Sequence, residues 1–144
     1  MDHIVLDATE PLACAPDQQP AVVVSVCTTC KAADGGPGHG ATMLAAIANQ
    51  LAAQPDVLLR PVQCLGVCKR PTTVAVTSAD GYTFIFGDLV HDTGPAAVAA
   101  FAQAYRSADY GLVPWRERAK VLRTGMVARI PPARWSPDDG RAPK

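Results

Sequence analysis

Residues 21–30 read AVVVSVCTTC, and this stretch decides the fold. Its first six residues form a short run of mostly β-branched side chains, which is typical of a buried strand. The run leads directly into Cys27 and Cys30, two cysteines separated by two residues. The sequence therefore predicts a pair of thiols at the end of the first strand.

The following residues predict two helices and three further strands. Residues 34–40 read DGGPGHG, which predicts a loop. Apolar residues at helical spacing then predict a helix over 41–54, with one stripe formed by Met43, Ile47 and Leu51. The remaining elements are expected to be strands over 57–63, 72–78 and 81–87, the last with Tyr82, Phe84 and Phe86 on one face, and a helix over 95–105 that starts with Pro95.

The element order β-α-β-β-β-α predicts an α/β fold of the thioredoxin-like type. A parallel first pair joined by a helix, then a hairpin and a final helix, gives a four-stranded mixed sheet with two main helices. Residues 1–20 are expected to form a flexible N-terminal arm, 21–108 the folded domain, and 109–144 a basic C-terminal extension. A short helix is expected over 115–124.

A second cysteine pair follows the second predicted strand. Cys64 and Cys68 are separated by three residues. Parallel strands joined by a helix end at the same edge of a sheet, so the two cysteine loops are expected to be neighbours. Four thiolates from adjacent loops can hold an iron–sulfur cluster or a tetrahedral zinc ion. Gly66 lets the backbone approach a bulky cluster, and Lys69 and Arg70 add positive charge beside it.

The second cysteine loop carries a specific resemblance. CLGVCKRP at 64–71, followed by TTVAV, resembles the thioredoxin-like [2Fe–2S] ferredoxins and the peripheral [2Fe–2S] subunit of respiratory complex I. This resemblance covers roughly residues 21–105. It implies one [2Fe–2S] cluster held by Cys27, Cys30, Cys64 and Cys68. The likeness to thioredoxin folds also raises the hypothesis of a cis bond at Pro71.

A further likeness extends into the C-terminal part of the chain. Residues 109–132, which read DYGLVPWRERAKVLRTGMVARIPP, together with CTTC and CLGVCKRP, resemble an uncharacterised bacterial family of predicted metal-binding proteins with a thioredoxin-like ferredoxin core. This likeness implies a metal site at the four cysteines and leaves the physiological reaction open.

One departure from the ferredoxins keeps two other hypotheses open. The ferredoxins space their first cysteine pair more widely than Cys27 and Cys30. Zinc, in a metal-binding or metallochaperone-like protein, could occupy the same four cysteines. Alternatively, Cys27 and Cys30 could form a thiol–disulfide oxidoreductase pair, because thioredoxins also place C-x-x-C after the first strand. The other metal-binding side chains are not expected to be ligands: Cys14, His3, His39 and His91.

Charge is unevenly placed along the chain, although its net value is zero. Residues 1–105 contain four basic and nine acidic side chains, whereas residues 106–144 contain nine basic and four acidic ones. The basic segment predicts contact with an acidic surface, either the chain's own body or a partner. Its basic residues do not interleave with stacking aromatics, so nucleic acid is not favoured.

These observations predict an electron carrier and not an enzyme. No signal peptide and no apolar run long enough to span a membrane is present in the sequence, so a cytoplasmic protein is expected. Clustered cysteines in a reducing compartment usually mean metal or redox chemistry. The expected partners are an unidentified redox protein and, by resemblance to the ferredoxins, a second copy of the chain in a homodimer.

Overall fold

The computed structural model describes residues 21–31 and 36–133, so the predicted N-terminal arm lies outside the described residues. Five strands form one sheet: β1 Val22–Cys27, β2 Val57–Val62, β3 Val74–Thr77, β4 Thr83–Phe86 and β5 Met126–Ile130. The helices are α1 His39–Gln50, α2 Gly94–Ser107 and α3 Lys120–Thr124, with 3-10 turns at Asp109–Gly111 and Trp115–Glu117.

The strand order is β2-β1-β3-β4-β5. Strands β1 and β2 are parallel and joined by α1, whereas β3 and β4 form the antiparallel hairpin that precedes α2. This confirms the predicted thioredoxin-like α/β arrangement. The register pairs Cys27 with Val62, so β1 and β2 end level with each other. Each cysteine loop therefore begins at the same end of the sheet.

The fifth strand differs from the predicted four-stranded sheet. β5 pairs antiparallel with β4, with Met126 opposite Phe86 and Ile130 opposite Thr83. Its residues are half-buried or exposed and include Arg129, so MVARI shows no clear alternation of apolar and polar side chains. This segment adopts a strand conformation because it pairs with β4, and the sequence pattern alone does not reveal that pairing.

The limits of the other elements differ from the prediction by a few residues. Helix α1 begins at His39, two residues early, because Gly38 with φ +79° ends the loop before it. Pro61 lies within β2, which is an edge strand and so tolerates a residue that lacks an N–H group. The helix predicted over 115–124 is instead a 3-10 turn followed by the short α3.

The core lies between the sheet and helices α1 and α2, which also contact each other. As predicted, Phe84 and Phe86 share one face of β4, and both are fully buried. Phe101 of α2 meets both rings edge-on, with ring centroids 5.1 and 5.0 Å apart. Burying an aromatic side chain of this size contributes about 1.5–3 kcal/mol, so this cluster fixes α2 over the hairpin.

Candidate metal centre

The first cysteine loop begins where β1 ends. Cys27 is the last residue of β1, and the Thr28 N–H donates to the Val62 carbonyl at 2.9 Å. The Gly40 N–H of α1 donates to the Cys30 carbonyl at 3.1 Å. A Cβ atom at Gly40 would lie 2.1 Å from the Cys27 carbonyl oxygen, so only glycine allows α1 to approach this closely. The loop is thereby held between β2 and α1.

The second cysteine loop follows β2 and is more exposed than the first. Cys64 and Cys68 are exposed, whereas Cys27 and Cys30 are buried. Gly66 adopts φ +77°, a conformation that other residues rarely adopt. Its N–H donates to the Cys64 Sγ at 3.2 Å. The structure therefore brings the Gly66 backbone close to a cysteine sulfur, as expected for this glycine.

Hydrogen bonds connect the first loop to the residues that lead into the second. The Thr28 hydroxyl donates to the Val62 carbonyl at 3.1 Å, and the Thr29 hydroxyl donates to the Gln63 carbonyl. The Cys27 Sγ also lies 3.7 Å from the Gln63 carbonyl oxygen, immediately before Cys64. The two loops are therefore neighbours, as the parallel strands predicted.

Interactions among the thiols change their acidity. Burial acts to raise the pKa of Cys27, but hydrogen bonds with Thr29, Cys30 and the Leu65 backbone outweigh it and lower that pKa. Burial and the hydrogen bond with Cys27 raise the pKa of Cys30. The hydrogen bond and negative charge of Cys64 raise the pKa of Cys68, with smaller effects from burial and the charge of Cys27.

These effects show how the four cysteines are grouped. Cys27 interacts with Cys30, Cys64 interacts with Cys68, and the charge of Cys27 contributes to the raised pKa of Cys68. All four are free thiols. Within residues 21–31 and 36–133, no three His, Cys, Asp or Glu side chains converge as ligands of one metal ion. The site consists of two thiol pairs on adjacent loops, and the assignment of all four as ligands stays a prediction.

Arg70 has a different role from the one its position in the sequence suggested. Its Nε donates to the Asp88 carboxylate at 2.8 Å, and its terminal nitrogens donate to the Thr124 and Met126 carbonyls at 3.2 and 3.3 Å. Asp88 compensates its charge, so Arg70 acts as a tether between the second cysteine loop and the C-terminal segment. Lys69 is exposed and remains available as a cation beside Cys68.

Two histidines lie close to the first loop. The His39 and His91 rings are stacked with centroids 3.9 Å apart. His91 Nε2 lies 3.2 Å from the His39 carbonyl oxygen, and His39 Nδ1 contacts the buried Thr72 hydroxyl. These contacts give both side chains a structural role, and the expectation that neither binds a metal stays a prediction. His3 and Cys14 lie outside the described residues.

Thr29 and Thr73 are site residues that sequence reasoning did not identify. The Thr73 hydroxyl lies 3.8 Å from the Cys30 Sγ, and its presence lowers the pKa of Cys30 against the effect of burial. Thr29 has the same influence on Cys27. Threonines lie between the cysteines of CTTC and directly after CLGVCKRP. They could have indicated these hydroxyl contacts, because hydroxyl groups stabilise thiolates.

The cis peptide bond near this site is not at the expected position. Among the described residues the cis bond joins Pro71 to Thr72, whereas the hypothesis placed it before Pro71. Thr72 is fully buried, and its N–H and carbonyl pair with Leu89 at 3.4 and 3.3 Å. The turn between the second cysteine loop and β3 is thus anchored to the segment after β4.

Two adjoining cavities lie away from the cysteine loops, and the first is at the other end of the sheet. Each has a volume of about 490 Å³. Asp109 and Tyr110 line both of them, and Ser78 and Tyr105 line the first. Since Ser78 follows the end of β3 opposite the cysteine loops, these cavities are separate from the thiols. No helix in the described part of the chain is both long and apolar enough to cross a membrane.

Fold and site together define a thioredoxin-like protein with two cysteine pairs at one end of its sheet. The chain belongs to the family described as "Protein of unknown function (DUF1636)", which matches residues 24–132. This confirms the resemblance to an uncharacterised family that the C-terminal sequence indicated. No curated protein is significantly similar to the chain in sequence.

Two solved structures are similar to this chain, and both are thioredoxin-like [2Fe–2S] ferredoxins from Aquifex aeolicus. The wild-type ferredoxin is 16% identical with a TM-score of 0.44, and the match covers 57% of this chain and 85% of the ferredoxin. A second structure is 18% identical with a TM-score of 0.41, covering 54% of this chain and 76% of that one.

Proposed function

We propose that the chain binds one [2Fe–2S] cluster through Cys27, Cys30, Cys64 and Cys68 and acts as a one-electron carrier. The observation that carries this proposal is that the two cysteine pairs lie on neighbouring loops, because the Thr28 and Thr29 hydroxyls of the first loop donate to the Val62 and Gln63 carbonyls that lead into the second. A [2Fe–2S] cluster takes two protein ligands on each of its two irons. Two pairs on neighbouring loops would therefore supply the number and grouping of ligands that the cluster requires.

The surroundings of the sulfurs also fit an anionic cluster. The Gly66 N–H points at the Cys64 Sγ, and the Leu65 backbone lowers the pKa of Cys27. Both contacts favour negative charge on sulfur, and such contacts raise the reduction potential of a bound cluster. When bound, the cluster would supply reversible one-electron chemistry, while the buried Cys27 and Cys30 would shield one side of it from water.

Thiol–disulfide exchange at Cys27 and Cys30 is the second candidate function. The lowered pKa of Cys27 and the raised pKa of Cys30 give the difference expected between an attacking and a resolving thiol. An attacking thiolate must also be accessible to its substrate, yet Cys27 is only 2% exposed. Exchange also leaves Cys64 and Cys68 without a role. The electron-carrier proposal uses all four cysteines and is therefore preferred.

An anaerobic reductive titration, followed by absorption and electron paramagnetic resonance, tests the proposal. We expect uptake of about one electron per chain, bleaching of the visible bands and a half-integer spin signal in the reduced protein. Uptake of about two electrons without a spin signal would assign the chemistry to a Cys27–Cys30 disulfide. If the protein takes up no electrons and contains zinc, its function is metal binding and not electron transfer.

A further inference from the structure

The two thiol pairs differ in their access to solvent. Cys27 and Cys30 are 2% and 7% exposed, whereas Cys64 and Cys68 are both exposed. A partner protein can therefore approach a bound cluster on the side of the second loop. Electron transfer between proteins uses small contacts that charge helps to form. The charged surface nearest the second loop should then determine which partner fits.

A cationic surface with an exposed aromatic ring lies in the C-terminal segment. We define the basic surface as Trp115, Arg116, Lys120 and Arg123. Trp115 is 59% exposed, and the Arg123 guanidinium stacks 4.7 Å from its ring centroid. Arg116 and Lys120 are exposed, as is the acidic Glu117 between them in sequence. Tryptophan and arginine are the side chains most often found at the energetic centres of protein interfaces.

Among the described residues, no ion pair neutralises the cations of the basic surface. In the part of the chain that the structure describes, the ion pairs are Arg70–Asp88 and Arg106–Asp56. Neither involves the basic surface, and Arg118, which lies in the same segment, caps the Val113 carbonyl and covers the Phe84 ring. The surface is thus left with a net positive charge that an acidic partner would complement.

The basic surface is attached to the exposed thiol pair through Arg70. This residue follows Cys68 by two positions and donates to the Thr124 and Met126 carbonyls. Thr124 is adjacent to Arg123, whose guanidinium covers the Trp115 ring. A short series of contacts thus joins the second cysteine loop to the basic surface.

We propose that the basic surface docks an acidic electron-transfer protein over the exposed Cys64–Cys68 side of the centre. The inference rests on the proposed function. In the productive complex the reduced centre loses one electron and the partner's one-electron acceptor gains it. Trp115 supplies the apolar contact of the interface, while Arg116 and Lys120 attract and orient the acidic surface.

Binding of poly-L-glutamate is the first test, and it does not require a cluster. The probe is titrated into a Trp135→Phe variant, so that Trp115 is the only tryptophan, and the emission of Trp115 is followed. We expect a shift that Lys120→Glu weakens by about three-fold or more at 0.1 M ionic strength. The matched control is Arg129→Glu. It makes the same change of charge at the end of β5 that is farther from α3. This control should weaken binding much less.

Oxidation of the reduced holoprotein by ferricyanide is the second test. The trivalent anion takes one electron per ion, and poly-L-glutamate bound to the basic surface should slow the reaction by blocking its approach. Lys120→Glu should relieve this block, and Arg129→Glu should not. Equal effects of the two variants, or tighter binding of poly-uridylate than of poly-L-glutamate, would overturn the proposal. If a colourless protein binds poly-L-glutamate, the proposed [2Fe–2S] cluster is disproved, whereas binding of acidic partners by the basic surface is supported.

Discussion

At Cys27, burial and hydrogen bonding have opposite effects on the thiol pKa. Hydrogen bonds lower the pKa of Cys27 despite its burial, whereas burial dominates at Cys30 and raises its pKa. Cys68 is exposed, and its pKa is raised by its neighbour Cys64. Metals bind thiolates, so at neutral pH the thiols of Cys30 and Cys68 must release protons when a cluster binds.

The pH dependence of cluster assembly follows from these shifts. Because the pKa values of Cys30 and Cys68 are raised, acid holds their protons in place and opposes binding, and binding strengthens as pH rises. Reconstitution with iron and sulfide should therefore be more complete at about pH 8.5 than at about pH 6.5. Thr29→Val should move the profile to higher pH, since Thr29 lowers the pKa of Cys27. A profile that falls with rising pH would contradict this explanation.

Substitution of single cysteines tests the assignment of ligands. Cys68→Ser should abolish stable cluster binding, because the cluster would lose one of its four proposed thiolate ligands. Cys14→Ser, the matched control, should retain full iron content and visible absorption. The measurement is iron per chain together with the absorption spectrum after anaerobic reconstitution. Retention of the cluster by the Cys68 variant, or its loss from the Cys14 variant, would show that the ligand set is wrong.

The placement of the four cysteines as pairs on two neighbouring loops could be predicted from the sequence, because the spacing within each pair is a local property. Their hydroxyl partners could not be assigned in the same way. Thr73 reaches Cys30 only because β3 pairs antiparallel with β1, and Thr29 reaches the Gln63 carbonyl only because β2 is parallel to β1. These contacts depend on strand register, which a single sequence does not specify.

At the level of elements, the second cysteine loop is held by residues far away in the sequence. Arg70 donates hydrogen bonds to Asp88 after β4 and to carbonyls at the junction of α3 and β5. The Asp88 N–H returns a hydrogen bond to the Arg70 carbonyl at 2.9 Å. The loop that carries the exposed thiols is thereby fixed to β4 and β5 and does not depend on β2 alone.

Arg70→Ala should loosen this loop and shorten the lifetime of the cluster. The variant loses three hydrogen bonds, and we expect a decrease of about 1–3 kcal/mol in the free energy of unfolding and faster loss of visible absorption in air. Arg106→Ala is the control, since its ion pair with Asp56 has similar exposure but lies at the opposite end of the sheet. That variant should lose at most about 1 kcal/mol and keep its cluster lifetime. Equal cluster lifetimes in the two variants would show that Arg70 does not stabilise the second cysteine loop.

The strand β5 shows where prediction of elements fails. The β1 and β2 strands were predictable because their apolar runs are bounded by turn signals or lead into the cysteines. Met126–Ile130 has a basic residue in its second half and lies in a segment rich in Arg and Pro. Its strand conformation comes from pairing with β4, including an irregular register at Ile85 and Phe86. Tertiary context of this kind overrides local propensity.

At the level of the whole molecule, the described part of the C-terminal extension is packed into the core. Leu122 of α3 is fully buried in the cluster formed by α2 and the sheet. Arg118 lies over the Phe84 ring at 5.3 Å. The acidic body and the basic segment seen in the sequence are therefore connected by apolar packing, while the exposed cations of the segment remain on the surface.

Leu122→Ala tests whether the C-terminal extension contributes to the core. Removing a fully buried leucine side chain should lower the free energy of unfolding by about 2–5 kcal/mol. Val121→Ala, in the adjacent and only half-buried position, should cost about 1 kcal/mol. Denaturant unfolding followed by circular dichroism gives both values. If the Leu122 variant were as stable as the Val121 variant, the extension would not be part of the core.

Analysis of bound metal tests the central claim most directly. The protein is purified without oxygen, and iron, zinc, acid-labile sulfide and the visible spectrum are measured on one sample. A [2Fe–2S] cluster predicts a red-brown protein with about two irons and two sulfides per chain and negligible zinc. A colourless protein with about one zinc per chain and no sulfide would contradict the proposed electron carrier.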